Sequence, residues 1–149
     1  MRLRHCDAFC WVCPSVAAVA GYAIGIGTTL LLHCDLVYAG DSAIFRMPFV
    51  DLGLCPEGGS SLLVPMRGGQ LLANELLMLG EAFAPEVALR AGIINAMVPV
   101  AELLAHAEAK ARALAAKPPA AMAQTKALLR RTDAARIAEH MQVEFAAFS

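Results

Sequence analysis

The sequence is short of charge. Lysine and arginine number 12, aspartate and glutamate 13, and together they make 17% of 149 residues, against about a quarter in ordinary soluble domains. Aromatic residues are also few, at 6%. The formal net charge is −1, and no basic cluster exceeds Arg130-Arg131. The chain therefore lacks the positive, aromatic-interleaved face of a nucleic-acid binder, and no nucleic-acid partner is expected. Cysteine is absent beyond Cys55. Cys6, Cys10, Cys13, Cys34 and Cys55 are odd in number and form no secreted-type framework, so reduced thiols and a cytoplasmic location are expected. His5, Cys6, Cys10 and Cys13 lie close together, but their spacing has no two-pair pattern and a tetrahedral site would be cramped. No metal is expected.

What the chain does have is apolar residue, 58% of the total. Its length suits one domain with a real core. Residues 8 to 34 contain no Asp, Glu, Lys or Arg, a run longer than the roughly 20 residues a bilayer requires. Met1-Arg2-Leu3-Arg4, the apolar stretch after it and Val19-Ala20-Gly21 mimic a secretory signal, and Gly21 and Gly25 have the spacing of a membrane helix dimer. Asp7, Pro14 and an amphipathic carboxy-terminal half count against that reading. The expectation is no membrane partner, with a small anchored protein left as an alternative.

Ser15 to Ala20 reads as a buried strand closed by Gly21, and Thr28 to Cys34 as a helix opening on Gly27. Leu36 to Ala39 is a second strand before the turn-prone Gly40-Asp41-Ser42, and Ala43 to Met47 a third extended piece ending at Pro48. Strand, helix, strand, turn, strand is an α/β order. From Gly58 onward the pattern is helical: Leu71, Leu72, Leu76, Leu77 and Leu79 form a wide apolar face that Gly80 ends. A short helix starts at Pro85-Glu86, and Ile93 to Val98 reads as strand or extended edge. Residues 101–116, 119–131 and 133–148 then read as helices, with Lys117-Pro118-Pro119 as a hinge and Thr132-Asp133 as a cap.

Two stretches carry candidate chemistry. In GYAIGIG, residues 21 to 27, a dinucleotide loop is excluded because Leu30 stands where the third glycine belongs. A strand leading through a glycine turn into a helix instead presents backbone N–H groups to a developing oxyanion. In MPFVDLGLCPEGGSSLLVP, residues 47 to 65, Glu57 lies between Pro56 and Gly58-Gly59 with little charge nearby. Apolar surroundings make a carboxylate a stronger base, suited to taking a proton from a weak carbon acid. The alternative at Glu57 is a first-turn acid that favours the helix dipole. Cys34 and Cys55 read as small core residues, and His33 has no visible partner.

These blocks, continued by AGIINAMVP and AKPPAAMAQTKALLRR, resemble the enoyl-CoA hydratase/isomerase (crotonase) superfamily over about residues 14 to 131. The resemblance implies an α/β fold: the carboxy-terminal portion of a ββα spiral followed by a helical region. It divides the chain into a non-family segment, residues 1–13, a partial ββα core, 14–98, and a helical oligomerisation region, 99–149. Family members carry a further stretch before the strand at Ser15, with one oxyanion amide and much of the CoA surface, so the chain is expected to be a fragment with uncovered apolar strand faces.

The substrate implied is an acyl-CoA thioester, with coenzyme A as part of the substrate and no separate cofactor, and the assembly a homo-oligomer, a trimer or dimer of trimers. The two hydratase glutamates fall at Thr29 and Phe49, so both are missing. The peroxisomal-type Δ3,Δ2-enoyl-CoA isomerases place one glutamate in an L-G-x-x-P-E-G segment, which is Leu52 to Gly58 here. By that resemblance Glu57 is the catalytic base and the N–H of Ile26, between Gly25 and Gly27, an oxyanion donor. Gly25, Gly27, Thr29, Met47, Phe49 and Leu52 are expected around the acyl group, though Met47, Phe49 and Leu52 also suit plain core. Lys126 and Arg130, one turn apart, could meet CoA phosphates or form a solvated helix face. The implied reaction moves a 3-enoyl double bond to the 2-position. The alternatives are an enoyl-CoA hydratase and a non-catalytic crotonase-like fragment.

Overall fold

A computed structural model describes residues 13–148. The expected segment 1–13 and the His5, Cys6 and Cys10 grouping therefore lie outside the described residues, apart from Cys13. Among the described residues no helix is long and apolar enough to cross a membrane, and no group of His, Cys, Asp and Glu is placed to hold a metal ion.

The chain order is β1 (Val16–Val19), β2 (Tyr22–Ile24), α1 (Ile26–Thr29) continuing as a 3-10 turn (Leu30–His33), then β3 (Leu36–Gly40) and β4 (Ile44–Arg46). A 3-10 turn (Val50–Leu52) leads to α2 (Ser60–Gly68), then α3 (Gln70–Asn74) with a π turn (Glu75–Leu79), α4 (Pro85–Arg90) and β5 (Ala96–Val98). Three helices finish the fold: α5 (Val100–Ala115), α6 (Pro119–Arg130) and α7 (Ala134–Phe148). β1, β3 and β5 make one parallel sheet, with Val16 opposite Leu36 and Tyr38 opposite Ala96. β2 and β4 make a second, with Ala23 opposite Phe45. Each strand–strand–helix unit thus gives one strand to each sheet, which is two successive ββα turns of a spiral.

β3 is apolar throughout because both its faces are covered. Val37 and Ala39 join the main core with Val19, Phe45, Met47, Leu63 and Val64, while Tyr38 packs the other way with Leu103 and Ala107 of α5. Between strands and helices, Phe45 and Phe83 stack at 5.7 Å and exchange both backbone hydrogen bonds. Gly68 at the end of α2 is required by close packing: a Cβ there would meet Ala91 Cα at 2.9 Å.

Three expectations change. The stretch read as a glycine turn contains β2, whose Tyr22 and Ile24 face outward and Ala23 inward. A three-residue strand between glycines shows too little alternation to be legible, and its pairing with β4 defines it. The helix expected at Thr28 begins at Ile26 and tightens to 3-10 after one turn. The Leu71–Leu79 helix passes into a π turn at Glu75, and its buried face is narrower than the apolar stripe of the sequence. Ala73, Leu76 and Leu77 are buried, and Leu71 and Leu79 are exposed. Gly80 does end it, with φ of 63°. Of Ile93–Val98, Ala96–Val98 is strand, while Ile93 and Ile94 are core residues of a loop that Asn95 ties to Val37 through paired bonds of 2.7 Å.

Candidate active site

The glycine turn leads from β2 into α1, with the helix start two residues earlier than expected. Gly25 has φ of 56°, a left-handed value that lets β2 reverse into α1, and its N–H donates to Arg46 O of β4 at 2.8 Å. Gly25 O then receives the N–H groups of Thr28 and Thr29. The buried Thr28 hydroxyl meets the Ala23 and Arg46 carbonyls and fastens α1 to both strands. The N–H groups of Ile26 and Gly27, in the first turn, meet no acceptor among the described residues. The Ile26 side chain is exposed.

Glu57 lies on the loop between the 50–52 turn and α2, half-buried. Gly58 and Gly59 follow it with φ of 68° and 74°, and only residues without a Cβ take such a pair of left-handed values without strain. The Thr29 hydroxyl, almost fully buried, donates to Glu57 Oε1 at 2.5 Å. No hydrogen bond reaches Oε2 among the described residues. The loop is held further at its carbonyls: Ser60 N–H and Oγ–H donate to Glu57 O at 3.2 and 2.7 Å, and His33 Nε2–H donates to Gly58 O at 2.6 Å. His33 is therefore partnered, contrary to expectation. Burial lowers its pKa from 6.5, Arg67 and Arg130 push the same way, and the Gly58 bond and Glu57 oppose them. The ring is neutral near pH 7 and carries its proton on Nε2.

The remaining predicted residues sit elsewhere. Met47 is fully enclosed and Phe49 nearly so, both within the main core, and Leu52 is 67% exposed on the 50–52 turn. Met47 and Phe49 are core residues, since packing on all sides leaves neither a face for an acyl chain. Lys126 and Arg130 do not form a solvated face, because both are engaged with Asp35. Lys126, 6% exposed, donates to Asp35 Oδ2 at 2.7 Å and to Cys13 O, and Arg130 donates to Asp35 Oδ1 at 2.8 Å and to His33 O at 2.6 Å. Ser15 adds its N–H and hydroxyl to Asp35 Oδ2. Burial alone would raise the Asp35 pKa, but Lys126, the two Ser15 bonds and Arg130 outweigh it and hold the carboxyl below 3.8. A cavity of about 340 Å³ opens beside His33, with Leu63, Met66, Ile137 and Met141 on its apolar side and Arg67, Arg130 and Asp133 on its charged side.

A family model described as enoyl-CoA hydratase/isomerase matches residues 7–149. The chain belongs to the enoyl-CoA hydratase/isomerase family. It is 37% identical over 126 residues to carnitinyl-CoA dehydratase of Proteus mirabilis, covering 85% of this chain and 48% of that protein. Its structure is similar to that of an enoyl-CoA hydratase/isomerase from Pseudoalteromonas atlantica, with a TM-score of 0.90, 40% identity and coverage of 95% of this chain and 56% of that one. It is similar also to Pseudomonas aeruginosa OdaA, with a TM-score of 0.89, 42% identity and coverage of 95% and 57%. The chain spans about half the length of these relatives.

Within this crotonase-like α/β fold, two polar residues escaped the sequence reading. Asp35 ends the long uncharged run, and with Lys126 and Arg130 at i, i+4 that was a usable signal. Glu144 of α7 is 7% exposed and accepts from Gly59 N–H, Ser61 N–H and the Ser61 hydroxyl. Its signal was a carboxylate on the Ile137, Met141 stripe of α7, at i, i+4, i+7.

Proposed function

We propose that the chain acts on acyl-CoA thioesters as a Δ3,Δ2-enoyl-CoA isomerase of the peroxisomal type, with Glu57 as its proton carrier. The observation that carries the reading is the Thr29–Glu57 hydrogen bond, which points a half-buried carboxylate at the helix turn bearing the Ile26 N–H and leaves Oε2 uncommitted. Glu57 Oε2 takes a proton from C2 of a 3-enoyl-CoA. The C–H electrons shift into the C1–C2 bond, the carbonyl pair moves onto the thioester oxygen, and the C3=C4 bond stays in place, conjugated in the resulting dienolate. The Ile26 amide stabilises that dienolate oxygen. The same carboxyl group then returns the proton to C4, the dienolate collapses, and a 2-enoyl-CoA leaves with the base restored. One base serves both transfers, and no water is consumed.

A hydratase or dehydratase is the second reading, favoured by the name of the Proteus relative. Against it, the family's two hydratase acids fall at Thr29 and at Phe49, whose ring is buried in the core. Thr29 donates to Glu57 and lacks the basicity to activate water. The test offers a 3-enoyl-CoA and a 2-enoyl-CoA separately and follows the products by chromatography, with Glu57→Gln as control. Isomerisation without hydration, abolished in the variant, supports the proposal. Hydration at a comparable rate, or isomerisation that survives the substitution, defeats it.

A further inference from the structure

α2 starts without a capping side chain of its own: its N-cap is Gly59 and its first turn holds no acid. The cap comes from the far end of the chain. Glu144 Oε2 accepts Gly59 N–H at 2.6 Å, and Oε1 accepts Ser61 N–H at 2.9 Å and the Ser61 hydroxyl at 2.6 Å. The carboxyl group is buried and takes both amides at the start of α2, as a capping side chain does. α7 also lies directly on the loop: a Cβ on Gly59 would come within 3.4 Å of Ile137 Cγ2, and Cys55 Sγ reaches Ala147 O at 3.6 Å. Gly58 and Gly59 are the most permissive link in the backbone beside Glu57, so what fixes their amides fixes the direction of that side chain.

We propose that Glu144 is the positioning residue of this site: by clamping the amides of Gly59 and Ser61 it holds the Glu57 carboxylate at its working place, so that docking of α7 sets the base. This rests on the isomerase reading for the reaction concerned. Glu144 acts through the loop and touches no substrate. A cap that served stability alone would lower the melting temperature and leave the turnover of the folded protein as it was.

The experiment compares the full chain with Glu144→Ala, Glu144→Gln and Ser61→Ala, measuring thermal unfolding, kcat and KM on a 3-enoyl-CoA, and the 13C carboxyl NMR signal of Glu57, identified by its loss in Glu57→Gln. The Ala variant at 144 is expected to lose roughly ten- to a hundredfold in kcat, with KM within about twofold, and to displace the Glu57 signal. The Gln variant keeps an acceptor for Ser61 but turns an NH2 toward Gly59 N–H, and falls between. Where Glu144→Ala does not fold, the Gln and Ser61 variants carry the same readouts. A Glu57 signal that stays in place, or an active wild type whose kcat is untouched in the folded variants, overturns the positioning role. A wild type that turns over no 3-enoyl-CoA, while Glu144→Ala still moves the Glu57 signal, sinks the isomerase reading and leaves the clamp standing.

Discussion

Asp35 closes the segment that α1 opens, and Glu57 meets the same segment at Thr29, yet the two carboxylates are held in opposite ways. Asp35 receives bonds on both oxygens, two of them from cations, so its charge is committed and its role is to tie α6 to the β1–β3 junction. Among the described residues the Glu57 carboxylate receives one bond, from a neutral hydroxyl, on one oxygen. A carboxylate surrounded by cations resists giving up its partners, whereas one oriented by a single hydroxyl keeps an oxygen for chemistry. On the proposed isomerase reading, the difference separates a structural acid from a catalytic one in the same fold.

The sharpest way to break that contrast is Glu57→Gln. The variant keeps the shape and the Thr29 contact but cannot carry a proton. Isomerisation is expected to fall by about a thousandfold, within the range of general acid–base contributions, with the melting temperature unchanged. A variant that loses stability instead of turnover would place Glu57 with Asp35 as a structural acid.

The converse substitution is Asp35→Asn. It leaves Lys126 buried beside an uncharged amide, and breaking one side of a buried pair costs about 3 kcal/mol, read by urea unfolding. The pH dependence has a definite sign. The folded Asp35 pKa lies below its ordinary 3.8, so its contribution is complete above that value and disappears as pH falls through the folded pKa. The wild type should lose stability over this acid window, and the variant should show a flatter limb there. Equal limbs would mean that the ion network contributes nothing to folding.

Much of this was readable before any coordinates. The strands at Val16–Val19 and Leu36–Gly40 are apolar runs with turn residues at their ends, and Gly80 and Pro119 punctuate helices through local backbone preference. Glu57 stood out because charge is scarce around it. What stayed hidden depends on residues distant in the chain. β2 exists because β4 pairs with it, and Glu144 caps a helix more than eighty positions away. Lys126 and Arg130 were misread for the same reason, since a lysine and an arginine one turn apart look solvated until the fold brings Asp35 beneath them. Local pattern carries the elements, and long-range pairing carries the site.

A smaller effect sharpens the contrast from inside the site. Thr29→Val keeps the volume of a nearly fully buried side chain and removes only the donor to Glu57. A hydrogen bond to a charged group contributes roughly 1.5–3 kcal/mol. If that contribution is realised in turnover, kcat for isomerisation falls roughly ten- to a hundredfold, less than for the loss of the base itself. KM should change little if, as proposed, the hydroxyl orients Glu57 and does not bind the thioester. Should the substitution suppress hydration of a 2-enoyl-CoA while sparing isomerisation, Thr29 would be a water-positioning group and the hydratase reading would gain the advantage.

The smallest effect belongs to a charged pair with neither kind of environment. Arg112 and Glu108 meet at 3.1 Å one turn apart on α5, with side chains 81% and 53% exposed. Solvent screens both charges, and holding two long side chains together costs entropy that offsets the attraction. Arg112→Ala should therefore leave the urea midpoint and turnover nearly unchanged, with Asp35→Asn in the same series as the calibrating loss. A pair that also lies within hydrogen-bond distance but is stripped of burial would then show that the surroundings, more than the charges, decide what a carboxylate does in this fold. A large loss at Arg112 would instead mean that α5 is covered in the working protein, by another copy or by more of the chain, and the measurement would then be repeated across protein concentrations to tell the two apart.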